Sequence, residues 1–187
     1  MSCSRRALLW AGGAMAGMSL GPWPGLARSV AAAQSEDSAA RSVSLLNLHT
    51  SERLRIEYFR DGTYVPEALA AIATVLRDFR TGERHAIDPH LMDYLVEVAR
   101  AAAIGAAFSV ISAYRSPITN ERLRAQSSEV AQHSLHMQGR AIDVRVPGID
   151  CADLAAHARA LKRGGVGYYR ASDFVHLDTG AYRTWKG

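Results

Sequence analysis

The hydrophobic rhythm of the chain changes several times, and each change marks an element. Val43-Ser44-Leu45-Leu46-Asn47-Leu48 and Leu54-Arg55-Ile56-Glu57-Tyr58-Phe59 are short apolar runs with the character of strands. The connector His49-Thr50-Ser51-Glu52 suits a hairpin, and Asp61-Gly62 a turn. Over 66–79 the period lengthens: Leu69, Ile72, Ala73, Leu76 and Phe79 recur at helical spacing, and Arg80-Thr81-Gly82 ends the helix. Asp88-Pro89 reads as an N-cap with proline at the first helical position. Leu91, Leu95, Val98 and Ala102 carry that helix's stripe to about Ile104. Residues 108–112 form a strand, Ser116-Pro117 opens a loop, and 120–126 form a short polar helix.

Further on, 141–146 alternates with a period of two, placing Ile142, Val144 and Val146 on one face. Residues 152–161 form a helix ended by Gly164-Gly165, and 166–169 and 174–178 are the last strands. Helices interleaved with hairpin-linked strands predict an α+β domain, its central, mainly antiparallel sheet flanked by helices.

The first 33 residues do not fit this domain. They hold Arg5, Arg6 and Arg28 and no acid. Ser4-Arg5-Arg6-Ala7-Leu8-Leu9 leads into an uncharged run that reaches Leu20; Pro22, Pro24 and the small-residue stretch Ala31-Ala32-Ala33 follow. This is the layout of a secretory signal, and the paired arginines resemble one for the twin-arginine route. The apolar run of 14 residues is short of the roughly 20 a span needs. Cleavage after Ala33, or after Ala27, is therefore expected over anchoring. The implied organisation is an export signal over 1–33, a flexible leader over 34–42 and one domain over 43–187.

That segment changes the meaning of the composition. The whole 187-residue chain carries a net charge of +4, which suits an anionic polymer partner. Without the first 33 residues the charge falls to +1, so a nucleic-acid partner loses its support. Cys3 leaves as well, and Cys151 alone makes no internal disulfide. An apolar share of 48% excludes a wholly disordered chain.

The candidate chemistry rests on three polar residues. His136 and Asp143 have six residues between them, and His176 follows 33 positions after Asp143. Two imidazole nitrogens and one carboxylate oxygen suit Zn²⁺ as three ligands of a tetrahedron, with the fourth position open to water. Strand periodicity turns Asp143 away from the apolar face, and it puts His176 on one face with Phe174 and Asp178. Gly139 permits a tight turn before the Asp143 strand. By spacing alone, ordinary surface or hydrogen-bonded core positions are the more frequent reading of such residues.

The wider pattern is more specific. Ser134-x-His136-x-x-Gly139-x-Ala141-x-Asp143, with Ser112-Ala113-Tyr114-Arg115-Ser116 before it and Asp173-x-x-His176 after it, resembles the D-alanyl-D-alanine carboxypeptidase-like zinc peptidases. Their superfamily includes lysostaphin-type peptidases and the hedgehog N-domain. Leu76-Arg77-Asp78-Phe79-Arg80-Thr81-Gly82, Gly164-Gly165-Val166-Gly167-Tyr168-Tyr169 and Phe174-Val175-His176-Leu177-Asp178-Thr179-Gly180 bring the chain closest to the murein endopeptidase K-like branch. The resemblance covers roughly 43–185; Ser51 departs from it, since the branch more often has glycine there.

The resemblance implies a zinc peptidase of the periplasm acting on peptidoglycan peptide cross-links, with His136, Asp143 and His176 as the zinc ligands. It makes Asp173 the general base, although the superfamily often has the longer Glu there. Asp178, on the His176 face, is the rival: it could orient the ligand histidine or act on water itself. Arg115 matches the superfamily's substrate arginine, suited to an oxyanion or a substrate carboxylate; a loop salt bridge to Glu121 or Glu129 is its alternative. Ser134 and Tyr114 are placed beside the substrate, Ser134 serving equally as a turn cap.

Cys151 and the remaining histidines are read as structural or surface residues, with His49 and His133 possible in the cleft. Tyr168 and Tyr169 are read as packing residues with a possible wall contact. Two other functions stay open: a carboxypeptidase trimming a terminal D-residue, and a non-catalytic zinc- or wall-binding module. The expected partners are peptide stems and the twin-arginine export machinery, with no nucleic acid and only passing membrane contact.

Overall fold

A computed structural model describes residues 39–127 and 130–187. The export signal expected over 1–33 lies outside the described residues, as does most of the leader. Eight strands form one sheet in the order β3-β2-β1-β4-β5-β7-β6-β8. They are β1 Arg41–Asn47, β2 Arg53–Arg60, β3 Thr63–Tyr64, β4 Ala107–Ser112, β5 Ala141–Arg145, β6 Gly165–Tyr169, β7 Phe174–Asp178 and β8 Arg183–Lys186. Neighbours run antiparallel except β1 with β4 and β6 with β8. The helices are α1 Pro66–Val75, α2 Pro89–Ala101, α3 Pro117–Gln126 and α4 Cys151–Leu161. The α+β class and the mainly antiparallel sheet are as expected.

The core forms where apolar strand faces meet apolar helix stripes. Val43 and Leu45 of β1, Ile142 and Val144 of β5, and Val175 and Leu177 of β7 are buried with Leu91, Leu95 and Val98 of α2 and Leu154 and Ala158 of α4. Because strand side chains alternate, Asp143 and His176 fall on the opposite face from these residues. One sheet thus separates the core from the site.

Several boundaries differ from expectation for local reasons. Helix α1 stops at Val75 rather than Phe79. The Asp78 carboxylate accepts from Arg80 N at 3.0 Å, a local turn that competes with the next helical turn. Helix α3 begins at Pro117, where a loop was expected. Ser116 accepts from Thr119 N at 3.3 Å and caps it, as Asp88 caps α2 by accepting from His90 N at 3.0 Å.

Strand β1 begins at Arg41, two residues before the run that starts at Val43. The Arg41 guanidinium donates to Asp93 Oδ1 at 2.6 Å and lies 3.5 Å over the Phe59 ring. Tyr58 and Tyr64 also donate to Asp93, at 3.0 and 2.5 Å. This shared carboxylate lies on helix α2 and fixes β1, β2 and β3 to it. In the first hairpin Ser51 holds a left-handed φ of 60°, the conformation that favours glycine.

Candidate active site

Two adjacent strands and one turn build the site. Asp143 of β5 and His176 of β7 are direct register partners across an antiparallel ladder. His136 lies in the 3-10 turn Leu135–Gln138, whose first turn Ser134 caps by accepting from His136 N at 3.3 Å. Gly139 ends that turn in the left-handed region at φ 65°, and a Cβ there would collide with the carbonyl of Ala86. The glycine therefore both reverses the chain and lets it pass close to another segment on its way into β5.

The donor atoms converge. His176 Nδ1 lies 2.9 Å from Asp143 Oδ1 and 3.2 Å from His136 Nε2; His136 Nε2 lies 3.4 Å from Asp143 Oδ1. The opposite ring nitrogens are committed elsewhere. His136 Nδ1 donates to the Ala113 carbonyl at 2.6 Å, and His176 Nε2 donates to Asp178 Oδ2 at 2.9 Å. These partners hold the outer nitrogens, so His136 Nε2 and His176 Nδ1 are the nitrogens that face the Asp143 carboxylate and that an ion would take in place of a proton.

Tetrahedral ligands at about 2.0–2.2 Å from zinc stand roughly 3.3 Å apart, close to the spacings here. The donor set therefore fits a metal ion, and His136, Asp143 and His176 are the group able to hold one. Burial lowers His136, with Asp143 opposing. Burial also works against charge on His176, but hydrogen bonds to Asp143 and Asp178 raise it to about 9. Burial would raise the Asp143 carboxyl, yet the two histidines hold it well below the usual range.

The cluster opens into a cleft of about 390 Å³. Arg115, His133, Ser134, Tyr169, Phe174, Arg183 and Trp185 are among the residues that line it. The Arg115 Nη2 atom stands 4.0 Å from Asp143 Oδ2, and Nη1 donates to Asn120 Oδ1 at 3.3 Å. Its Nε is buried without a hydrogen-bond partner among the described residues. Asn120 and Asp143 thus take the place expected of Glu121; Glu129 lies outside the described residues.

Two expected site residues stand elsewhere. Tyr114 does not line the cleft: it is buried, its hydroxyl donates to Glu83 Oε1 at 2.5 Å, and its ring stacks on His85 at 4.9 Å. Asp173 does not line the cleft either. It sits in a turn at φ 51°, its side chain is 64% exposed, and Arg145 Nη1 donates to its Oδ2 at 3.1 Å. Asp178, in contrast, is fully buried behind His176. Its oxygens also accept two bonds from Arg183 and one each from Gly165 N and Gly180 N.

Other residues depart from their simplest readings. His133 and Tyr169 line the cleft, whereas His49 stacks on Phe79 at 3.7 Å. Burial pushes the Cys151 thiol up to about 11, and the nearby Asp173 adds to that, so its place at a helix start does not activate it. Sequence reasoning missed Trp185 and Arg183, which arrive on an edge strand with no apolar alternation.

Fold and cluster together define a class: an α+β protein with a cleft-borne His/Asp/His group able to hold a metal ion. Residues 35–185 match the peptidase family described as peptidoglycan L,D-endopeptidase MepK. The chain belongs to this family, and so is a hydrolase of peptide bonds. It is 38% identical over 182 residues to peptidoglycan L,D-endopeptidase MepK of Escherichia coli (strain K12), covering 97% of each chain. The corresponding protein of Shigella flexneri matches to the same degree and extent. The probable peptidoglycan L,D-endopeptidase MepK of Haemophilus influenzae is 38% identical over 148 residues, 79% of this chain and 80% of that one. No solved structure matches the chain.

Proposed function

We propose that this chain is a zinc-dependent endopeptidase that hydrolyses peptide cross-links of peptidoglycan after export to the periplasm. One observation carries the metal part of the reading. The outer nitrogens of His136 and His176 are spent on Ala113 and Asp178, so their inner nitrogens converge with Asp143 on one point. The activity for which the relatives are named supports the wall substrate, and the twin-arginine pattern supports the address. Among the described residues no helix is long and apolar enough to cross a membrane.

Zinc held by His136, Asp143 and His176 would supply a Lewis acid that polarises the scissile carbonyl. The protein's own groups do the rest. Arg115, whose side chain lines the cleft beside Asp143, meets the developing oxyanion or a substrate carboxylate. Ser134, at the cleft edge, contacts the peptide stem. Of the two candidate carboxylates, every Asp178 oxygen is taken by donors, whereas Asp173 has solvent-reached oxygen beside Phe174. Asp173, released from Arg145, takes the proton of the attacking water and passes it to the leaving amine.

The test is incubation of the purified protein with defined cross-linked muropeptides, with and without a chelator, beside His136→Ala. Loss of cross-links in the metal-loaded wild type alone is the expected result. Release of single D-alanines would make the enzyme a carboxypeptidase, and bound zinc without cleavage would leave only a binding module.

A further inference from the structure

We infer that a groove on the open face of the sheet, lined by Arg53 and Arg55, binds the carboxylates of a peptide arm that extends out of the catalytic cleft. The inference rests on the endopeptidase reading above and adds a second place, away from the reacting bond, at which its substrate is held.

Strand register lays the groove out. Arg53 pairs with Leu46 and Arg55 with Ser44 across β2 and β1. Leu46 and Ser44 pair in turn with Ser109 and Ala107 of β4, and Ser109 pairs with Arg145 of β5. Leu45, Phe108 and Val144 point into the core, so these residues share the opposite face with Asp143 and His176. One position past the Val144–Val175 pair the row reaches Phe174, in the lining of the cleft. The groove has a volume of about 310 Å³, with Leu46, Ser109 and Pro147 among its lining. Strands stand about 4.8 Å apart, so Ser109 lies about 10 Å from Phe174, the length of about three extended residues. An arm of that length leaving the cleft along the row enters the groove.

The charge of the groove selects its occupant. Arg53 and Arg55 are exposed, and neither has an ion pair among the described residues. No acid lines the groove. Glu57 of β2 is held by Arg60 at 3.5 Å and Asp173 by Arg145 at 3.1 Å, so neither is free to neutralise the pair. Two like charges on one strand face gain from an anionic guest, and a guanidinium matches a carboxylate with two parallel hydrogen bonds. An acidic peptide supplies that group. A lipid surface fits less well, because the exposed large apolar side chains among the described residues are Leu48, Ile118 and Tyr182, none of them in the groove. Arginines also guard open strand edges, and β3 pairs only with Phe59 and Arg60 of β2. An edge guard has no bearing on substrate affinity, so the two roles part in measurement.

The probes are a cross-linked muropeptide dimer with a reduced amide at the scissile bond, and the same dimer with its carboxylates amidated. Each is titrated calorimetrically into the zinc-loaded full chain, as wild type and as Arg53→Ser with Arg55→Ser. The double variant is expected to raise the dissociation constant of the free-carboxylate dimer about five- to tenfold and to leave that of the amidated dimer unchanged. Arg53→Lys with Arg55→Lys, which keeps the charge, should stay within about twofold of wild type. No binding of the free-carboxylate dimer to the wild type, an unchanged constant in the double variant, or an equal loss for both dimers overturns the inference. So does a double variant whose one change is self-association in sedimentation, or loss of binding to phosphatidylglycerol vesicles with dimer affinity intact.

In turnover of the cleavable dimer the double variant should raise KM about five- to tenfold while kcat stays within about twofold. An unchanged KM overturns the groove. Absence of all cleavage by the zinc-loaded wild type would overturn the endopeptidase reading instead, and the titration would still decide the groove.

Discussion

His176 Nε2 and Asp178 Oδ2 stand 2.9 Å apart, two positions along β7 and on one face of it. Burial would raise the Asp178 carboxyl, but hydrogen bonds from His176 and Arg183 hold it well below its ordinary range. A carboxylate so saturated is a poor proton acceptor and a good anchor. It fixes which nitrogen of His176 faces Asp143.

Replacing the anchor should loosen the metal. Asp178→Asn is expected to lower zinc affinity about 10–100-fold, read by competition with a chelating dye. Unchanged affinity would remove Asp178 from any orienting role.

Arg115 should act on the reaction rather than on the fold. Its guanidinium stands 4.0 Å from Asp143 yet keeps its Nε unpaired. Arg115→Gln is expected to lower kcat/KM about 10²–10³-fold with zinc content unchanged. Full activity in this variant would return Arg115 to the status of a loop residue.

The two carboxylates separate cleanly by readout. Asp173→Asn should lower kcat about 10²–10⁴-fold while zinc affinity stays at the wild-type value. Wild-type kcat in that variant would mean that the Asp173–Arg145 pair is only a surface contact, and the proton acceptor would have to be sought elsewhere.

Asp78 governs acid stability close to the site. It is buried and accepts from Ser116 N at 3.0 Å and Ser116 Oγ at 2.7 Å, fixing the residue after Arg115. Burial alone would raise its pKa, but the hydrogen bonds from Thr119, Ser116 and Arg80 bring it to about 2. A carboxylate depressed in the folded state stabilises it above the unfolded pKa of about 4. That gain is lost as pH falls from about 4 to 2. Asp78→Asn should therefore cost about 2 kcal/mol at neutral pH, a difference that shrinks across this window in urea unfolding. A difference independent of pH would contradict the assignment.

The convergence of His136, Asp143 and His176 was legible because strand alternation and the motif agree on them. Period two sends Asp143 and His176 off the apolar face, and the Ser134-to-Asp143 motif pairs them with His136. Tyr114 was misplaced because adjacency to Arg115 says nothing of side-chain direction: the tyrosine turns inward to Glu83. That Arg145 holds Asp173 outside the cleft lining could not be read in advance, because the pairing spans 28 positions of chain. Strand β8 had no signal of its own. Its four residues alternate nothing apolar, and they pair in parallel with a strand some 18 positions earlier. The place of Trp185 at the cleft therefore emerges only from the fold.

The register pairing of Asp143 with His176 has a consequence for the protein without its ion. Both residues sit on strands whose alignment is set by backbone ladder bonds and by a core on the far side of the sheet. The coordination pocket is thus pre-paid by the scaffold, unlike a finger domain that collapses when its zinc leaves. An ion held there would be a removable fitting, and stripping and reloading it should be a reversible cycle on one standing frame.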